Sequence, residues 1–146
     1  MHLLEQSEDT VIGKVARDSS ARLAASLMNY GNLVAILVPF PLLIFWFGAS
    51  ILVYALNRHH PDPRVGRYTQ QAAYRFYGVT GFFVVVATFI PGSGWIWHLA
   101  AWIVAALILI PWSILDLHRI RREMWIDIQL DDAGHPVPGS GLPQGA

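Results

Sequence analysis

Between Leu23 and Leu56 the chain runs for 34 residues without a charged side chain. One continuous helix of that length would reach about 50 Å, whereas a membrane's hydrocarbon core is only about 30 Å thick. The stretch must therefore bend. Pro39-Phe40-Pro41 is the place for it. Each proline lacks an amide donor and moves its predecessor, Val38 or Phe40, out of the α region. One proline kinks a membrane helix, and two at alternate positions favour a break. The spacing predicts two short helices, about Arg22 to Val38 and about Leu42 to Asn57. Asn29 and Asn32 make the first the more polar, and buried amides of that kind pair with a neighbouring helix.

The later sequence repeats the theme. A polar loop over 57–71, rich in turn residues and carrying Arg58, Arg64 and Arg67, leads to an apolar run from about Ala72 to Ile90. Arg75 near the start of that run is expected to snorkel to the headgroups. The uncharged Pro91-Gly92-Ser93-Gly94 link precedes the strongest apolar segment, Trp95 to Leu115, with tryptophans toward both ends as in an aromatic belt. A link that short makes the two helices antiparallel neighbours. The expected fold is thus an all-α membrane protein of two antiparallel helical hairpins, four short spans in total. Three spans with a kinked first helix is the alternative.

Flanking segments are read as follows. Residues 1–21 form a polar N-terminal segment, with Val11, Ile12 and Val15 spaced for a short helix. Beyond Leu115, Leu117, Ile120, Met124 and Ile128 make one stripe to about Leu130, which reads as an amphipathic C-terminal extension at the membrane surface or as a solvated helix end. Residues 131–146 are Pro- and Gly-rich and read as a disordered tail.

Composition narrows the function classes. Hydrophobic residues make up 54% and charged residues 14% of the chain, well under the usual charge of roughly a quarter. Ten cations balance ten anions, so no overall field recruits nucleic acid. Absence of cysteine removes disulfides, thiolate chemistry and Cys-based metal sites. The acidic N-terminus (Glu5, Glu8, Asp9, Asp18) does not read as a secretory signal, and no lipidation is expected.

Charge also orients the chain. With four spans, the breaks at Pro39–Pro41 and Pro91–Gly94 carry no cation, so all ten lie on the other side, which is then cytoplasmic. With three spans the cations divide seven to three. Both termini are accordingly expected in the cytoplasm of a cell membrane, a bacterial inner membrane.

The broken first apolar pair, a loop reading Pro63-x-Val65 with Ala72 or Ala73 and Phe76 downstream, and a last apolar helix ending in charge resemble certain small bacterial membrane proteins of unknown function. These are related in fold to a subunit of the chloroplast protein-import translocon. The resemblance covers roughly Arg22 to Leu130 and implies architecture alone.

Few residues offer chemistry. His98 is the histidine inside an apolar run, with Trp102 one turn on. Together with Asn32 they are the candidates for a proton or polar site in an oligomer, against an interfacial imidazole bonded to loop carbonyls. His59, His60 and His118 could converge on a metal or haem, but no typical ligand spacing supports this, and no cofactor is expected. Asp116 reads as a surface ion pair with Arg119; a transport role would need it to face inward opposite Arg75. Gly48, Gly78 and Gly81 are read as sites of close helix approach. Arg64, Arg67, Arg119, Arg121 and Arg122 form a basic face for lipid or partner. No nucleophile–base pair or phosphate loop is present. The expected role is a non-enzymatic accessory, assembly or organising component, partnered by lipid and by another membrane protein or a second copy. A homo-oligomeric channel or small transporter is the alternative.

Overall fold

The computed structural model describes residues 14–38, 41–90 and 94–140, and 75% of them are helical. A strand β1 (Val15–Ala16) is followed by four helices, α1 (Asp18–Leu37), α2 (Leu42–Asn57), α3 (Pro63–Phe89) and α4 (Trp95–Arg122), and a strand β2 (Ile128–Gln129). The predicted break holds: α1 ends at Leu37, and α2 starts from Pro41, whose carbonyl accepts the first bonds, from Ile44 and Phe45. Pro39 and Phe40, and most of the second predicted link (91–93), lie outside the described residues.

Helix α1 starts four residues earlier than the sequence predicts. Its first amides need acceptors, and two carboxylates supply them. The Asp18 amide donates to Asp127 Oδ1 at 2.8 Å across 109 residues, and Asp18 itself sits in the first turn. Acidic groups there also suit the positive end of the helix dipole. Val15, read as helical, instead pairs as a strand with Gln129, and Ala16 with Ile128; Val11 and Ile12 lie outside the described residues.

Helix α3 starts nine residues before Ala72, so the polar loop shrinks to 58–62. Asp62 and Pro63 explain the difference. The Asp62 carboxylate accepts from the Arg64 amide at 2.9 Å, and Pro63 takes the first helical position, where its missing donor costs nothing. Arg64 and Arg67 are thus helical residues.

The amphipathic extension is shorter than expected. Helix α4 stops at Arg122, and Glu123 is extended. Trp125 folds back so that its indole Nε1 donates to the Ile120 carbonyl at 2.7 Å, and Arg64 Nη1 donates to the Met124 carbonyl at 2.7 Å. These bonds occupy carbonyls that an onward helix would need, and the chain leaves toward β2. Within 131–146, read as a disordered tail, residues 131–140 make a turn closed by Asp131 and His135, and Leu130 bridges to Pro136; 141–146 lie outside the described residues.

Three apolar layers hold the bundle. Ala21 and Ala25 meet Val65, Tyr68, Ile120 and Trp125 at one end. Met28 packs with Ala72 and Ala73 in the middle. Ala35 and Ile36 meet Phe76, Ala105 and Leu109 beyond. Helix α1 therefore runs alongside α3 and against α4. Because β1 joins β2 and Arg64 reaches Met124, the start of α1, the end of α2, the start of α3 and the end of α4 share one end of the bundle. Lys14, Arg17, Arg22, Arg58, Arg64, Arg67, Arg119, Arg121 and Arg122 all lie there.

Among the described residues two helices, α3 and α4, are long and apolar enough to cross a membrane, and only 22% of the apolar stretch of each is buried. Helix α2 is a shorter apolar helix.

Close approach occurs at glycines other than those expected. Nothing lies within 4 Å of a Cβ built at Gly48, Gly78 or Gly81, which face outward. Such a Cβ at Gly31 would stand 1.9 Å from the Trp46 ring, and one at Gly66 would stand 2.8 Å from the Arg58 carbonyl oxygen. Gly31 thus lets an indole lie on the α1 backbone.

Candidate functional site

The polar side chains that matter lie on the seam between α3 and α4. Asp116 is fully buried, one turn before Ile120 on the inner face of α4. Arg75 Nη1 donates to its Oδ2 at 2.5 Å, and the Arg75 guanidinium lies 4.8 Å from the Trp112 ring centroid. Arg119 stands 3.9 Å from the other oxygen, Oδ1, which has no hydrogen bond among the described residues. Two sequence expectations are corrected here. Asp116 is an interior carboxylate paired with Arg75 and no surface partner of Arg119 alone, and Arg75 turns inward without snorkelling free. The physical reason is desolvation: a carboxylate carried inside by an otherwise apolar helix face requires a cation, and Arg75 is the one across the seam.

One end of the same seam carries a second cluster. Asp62, 1% exposed, receives Arg64 twice, from Nε at 3.1 Å and from Nη2 at 2.8 Å. The Arg64 guanidinium lies 4.4 Å over the Trp125 ring, with Glu123 at 4.0 Å, and the Tyr68 hydroxyl donates to Glu123. Arg64, expected on the open basic face, is therefore a tie between α3 and the segment after α4. Arg67, Arg119, Arg121 and Arg122 are exposed as expected; Arg121 donates to the Tyr30 hydroxyl at 3.2 Å.

Asn32, His98 and Trp102 do not form one site. Asn32 is buried and donates to the Ala72 carbonyl at 3.1 Å while accepting from Trp46 Nε1 at 2.8 Å, tying α1, α2 and α3 together. His98 and Trp102 instead pack edge-on against Phe83, at 6.4 and 6.5 Å. The nearby cavity bounded by Phe83, Trp102 and Leu109 offers about 10 Å³, the lower limit for one water. Asn29, also buried, has no partner among the described residues for either amide atom.

Among the described residues no group of three or more His, Asp or Glu side chains could hold a metal. His118 and His59 are exposed, whereas His60 is half-buried and its Nδ1 accepts from the Asp62 amide at 3.0 Å. That bond needs the neutral ring. Burial pushes the His60 pKa below its ordinary value, with Asp62 opposing. A base with a depressed folded-state pKa adds stability that is complete above its unfolded pKa of roughly 6.5 and lost as pH falls through and below it. Unfolding midpoints in detergent should therefore drop more between pH 7.5 and 5 for the native chain than for His60→Gln; equal drops would exclude the effect.

Compared with known protein families, curated proteins and solved structures, the chain matches none. The positions behind the family resemblance have packing duties in this chain: Pro63 opens α3, and Val65, Ala72, Ala73 and Phe76 form its buried face. Sequence reasoning missed Asp62, Glu123, Tyr68 and Trp125. The signal for the first was available in the Asp62-Pro63 helix-start pair; the others are joined by contacts across 55 residues or more that no local pattern encodes.

Proposed function

We propose that this chain is an integral membrane protein that acts by packing, as a non-enzymatic assembly or organising component of a larger membrane complex. The observation that carries this reading is the division of its side chains. Polar groups in and beside the core tie the elements together: Asn32 joins α1 to α2 and α3, Asp116 holds Arg75 across the α3–α4 seam, and Asp62 holds the Arg64 that reaches the Met124 carbonyl beyond α4. The outward surfaces of α2, α3 and α4 are meanwhile dominated by large apolar residues such as Phe45, Phe82, Phe89, Ile103 and Leu107. Lipid is the solvent that suits such a surface, because bulk water would make it an aggregation site.

In this reading all four helices cross or enter the bilayer as two hairpins. Helix α1 spans about 30 Å and α2 about 24 Å, and the gathering of cations at one end supports, through the positive-inside rule, a reading with both termini in the cytoplasm. The cell membrane would be a bacterial inner membrane. An open apolar groove of about 330 Å³ between α1 and α2, floored by Gly31, Ala35 and Trp46, gives a neighbouring helix or lipid a place to seat.

Cross-linking in native membranes followed by purification in mild detergent tests the proposal. A stoichiometric membrane partner or a discrete self-assembly is expected. A chain that stays monomeric and partnerless in both settings would overturn it. Proton or solute flux through liposomes carrying the purified chain, abolished by His98→Ala, would replace it with the channel reading.

A further inference from the structure

Two guanidinium groups share one carboxylate at the α3–α4 seam, and most of their donors have no protein acceptor among the described residues. Of Arg75's N–H groups, only Nη1 meets a protein acceptor among the described residues. Arg119, with its side chain 60% exposed, contacts Asp116 Oδ1 at 3.9 Å without a hydrogen bond. Two positive charges against one negative leave this spot cationic. Its position is equally specific: Trp112, 45% exposed and stacked on Arg75, lies where the apolar run of α4 gives way to Asp116 and Arg119. Tryptophan and arginine at that boundary mark the headgroup level of a membrane. Guanidinium donors at that depth favour a phosphate, which they bind in a planar fork geometry.

We propose that Arg75 and Arg119 bind the phosphate of an anionic phospholipid whose acyl chains lie along the apolar flank of α3 and α4. The inference rests on the membrane reading above and goes beyond it, because it assigns a ligand to one seam. Inorganic phosphate shares the chemistry but has no acyl chains for that flank, so the lipid is the occupant favoured.

The test uses the full chain in nanodiscs of phosphatidylcholine doped with phosphatidylglycerol, with lipid retention read by native mass spectrometry after release. Phosphatidylglycerol should be retained in preference to phosphatidylcholine. Arg119→Gln should weaken that retention about tenfold, the usual effect of losing one hydrogen bond to a charged group. Arg67→Gln, an exposed arginine over the Tyr68 ring, should leave it within about twofold, since only surface charge is removed there. Arg75→Lys keeps Asp116 neutralised but loses the fork and should also weaken retention. Equal losses for Arg67→Gln and Arg119→Gln would reduce the effect to general surface charge and overturn the site. Full displacement of the lipid by millimolar inorganic phosphate would overturn the lipid as occupant. Alkaline carbonate washing separates the premises: a chain that stays in the membrane without lipid preference overturns this inference alone, and a chain that washes off overturns both.

Discussion

Replacing Arg75 with leucine is expected to destabilise the bundle by about 3–5 kcal/mol, because it leaves the Asp116 carboxylate buried without its cation. Asp116 is completely enclosed, and among the described residues Arg119 at 3.9 Å is the only other cation in contact with it. Arg119 is too exposed and too distant to neutralise it alone. The paired variant, Arg75→Leu with Asp116→Leu, should recover most of the loss, since removing both charges removes the desolvation penalty as well. Equilibrium unfolding of the single and double variants in one detergent measures both. A single variant within 1 kcal/mol of the native chain would mean that the interior carboxylate is solvated or protonated, and the ion pair would then have no structural role.

The second large effect is expected at Gly31. A methyl group there would overlap the Trp46 indole, with three ring atoms at 1.9, 2.0 and 2.3 Å. The ring cannot slide aside cheaply, because its Nε1 is bonded to Asn32, which is bonded in turn to Ala72. Gly31→Ala should cost about 1–3 kcal/mol by overpacking, plus part of a hydrogen bond between helices, averaging about 0.6 kcal/mol in membranes. Gly78→Ala provides the contrast. Nothing lies near that Cβ, so the change should be neutral or stabilising by up to about 1 kcal/mol through helix propensity. Trp46 fluorescence is masked by the other tryptophans, so thermal unfolding is the better readout. If the two alanine variants behave alike, α2 does not lie on α1 as described.

These predictions could not have been written from the sequence. Gly48, Gly78 and Gly81 invited the close-approach reading because they sit in or near the most apolar runs, yet each faces away from its neighbours. Gly31 lies in a weaker segment beside Asn32 and drew no such attention. A glycine's role depends on which face of the helix carries it and on what stands opposite, and α1 has too mixed a pattern to declare its inward face in advance. Arg75 and Asp116 raise the same difficulty at longer range. Each was visible as a charge near the end of an apolar run, where snorkelling and a local i,i+3 pair are the ordinary expectations. Their partnership spans 41 residues and depends on how α3 and α4 rotate about their axes.

What the sequence determined by itself is the set of four long helices and the break between the first two. Apolar run length, measured against membrane thickness, requires the Pro39-Phe40-Pro41 break, and the structure accordingly ends one helix at Leu37 and begins the next at Leu42. These are local properties of backbone sterics and hydropathy, so a linear pattern records them. Only the tertiary structure decided which charges are interior, which histidine is half-buried, and where α4 stops. Two of those depend on residues distant in the chain, Asp116 on Arg75 and the end of α4 on Arg64, and the shelter of His60 depends on how its own loop folds. Burial is a property of the assembled bundle, and no segment carries it alone.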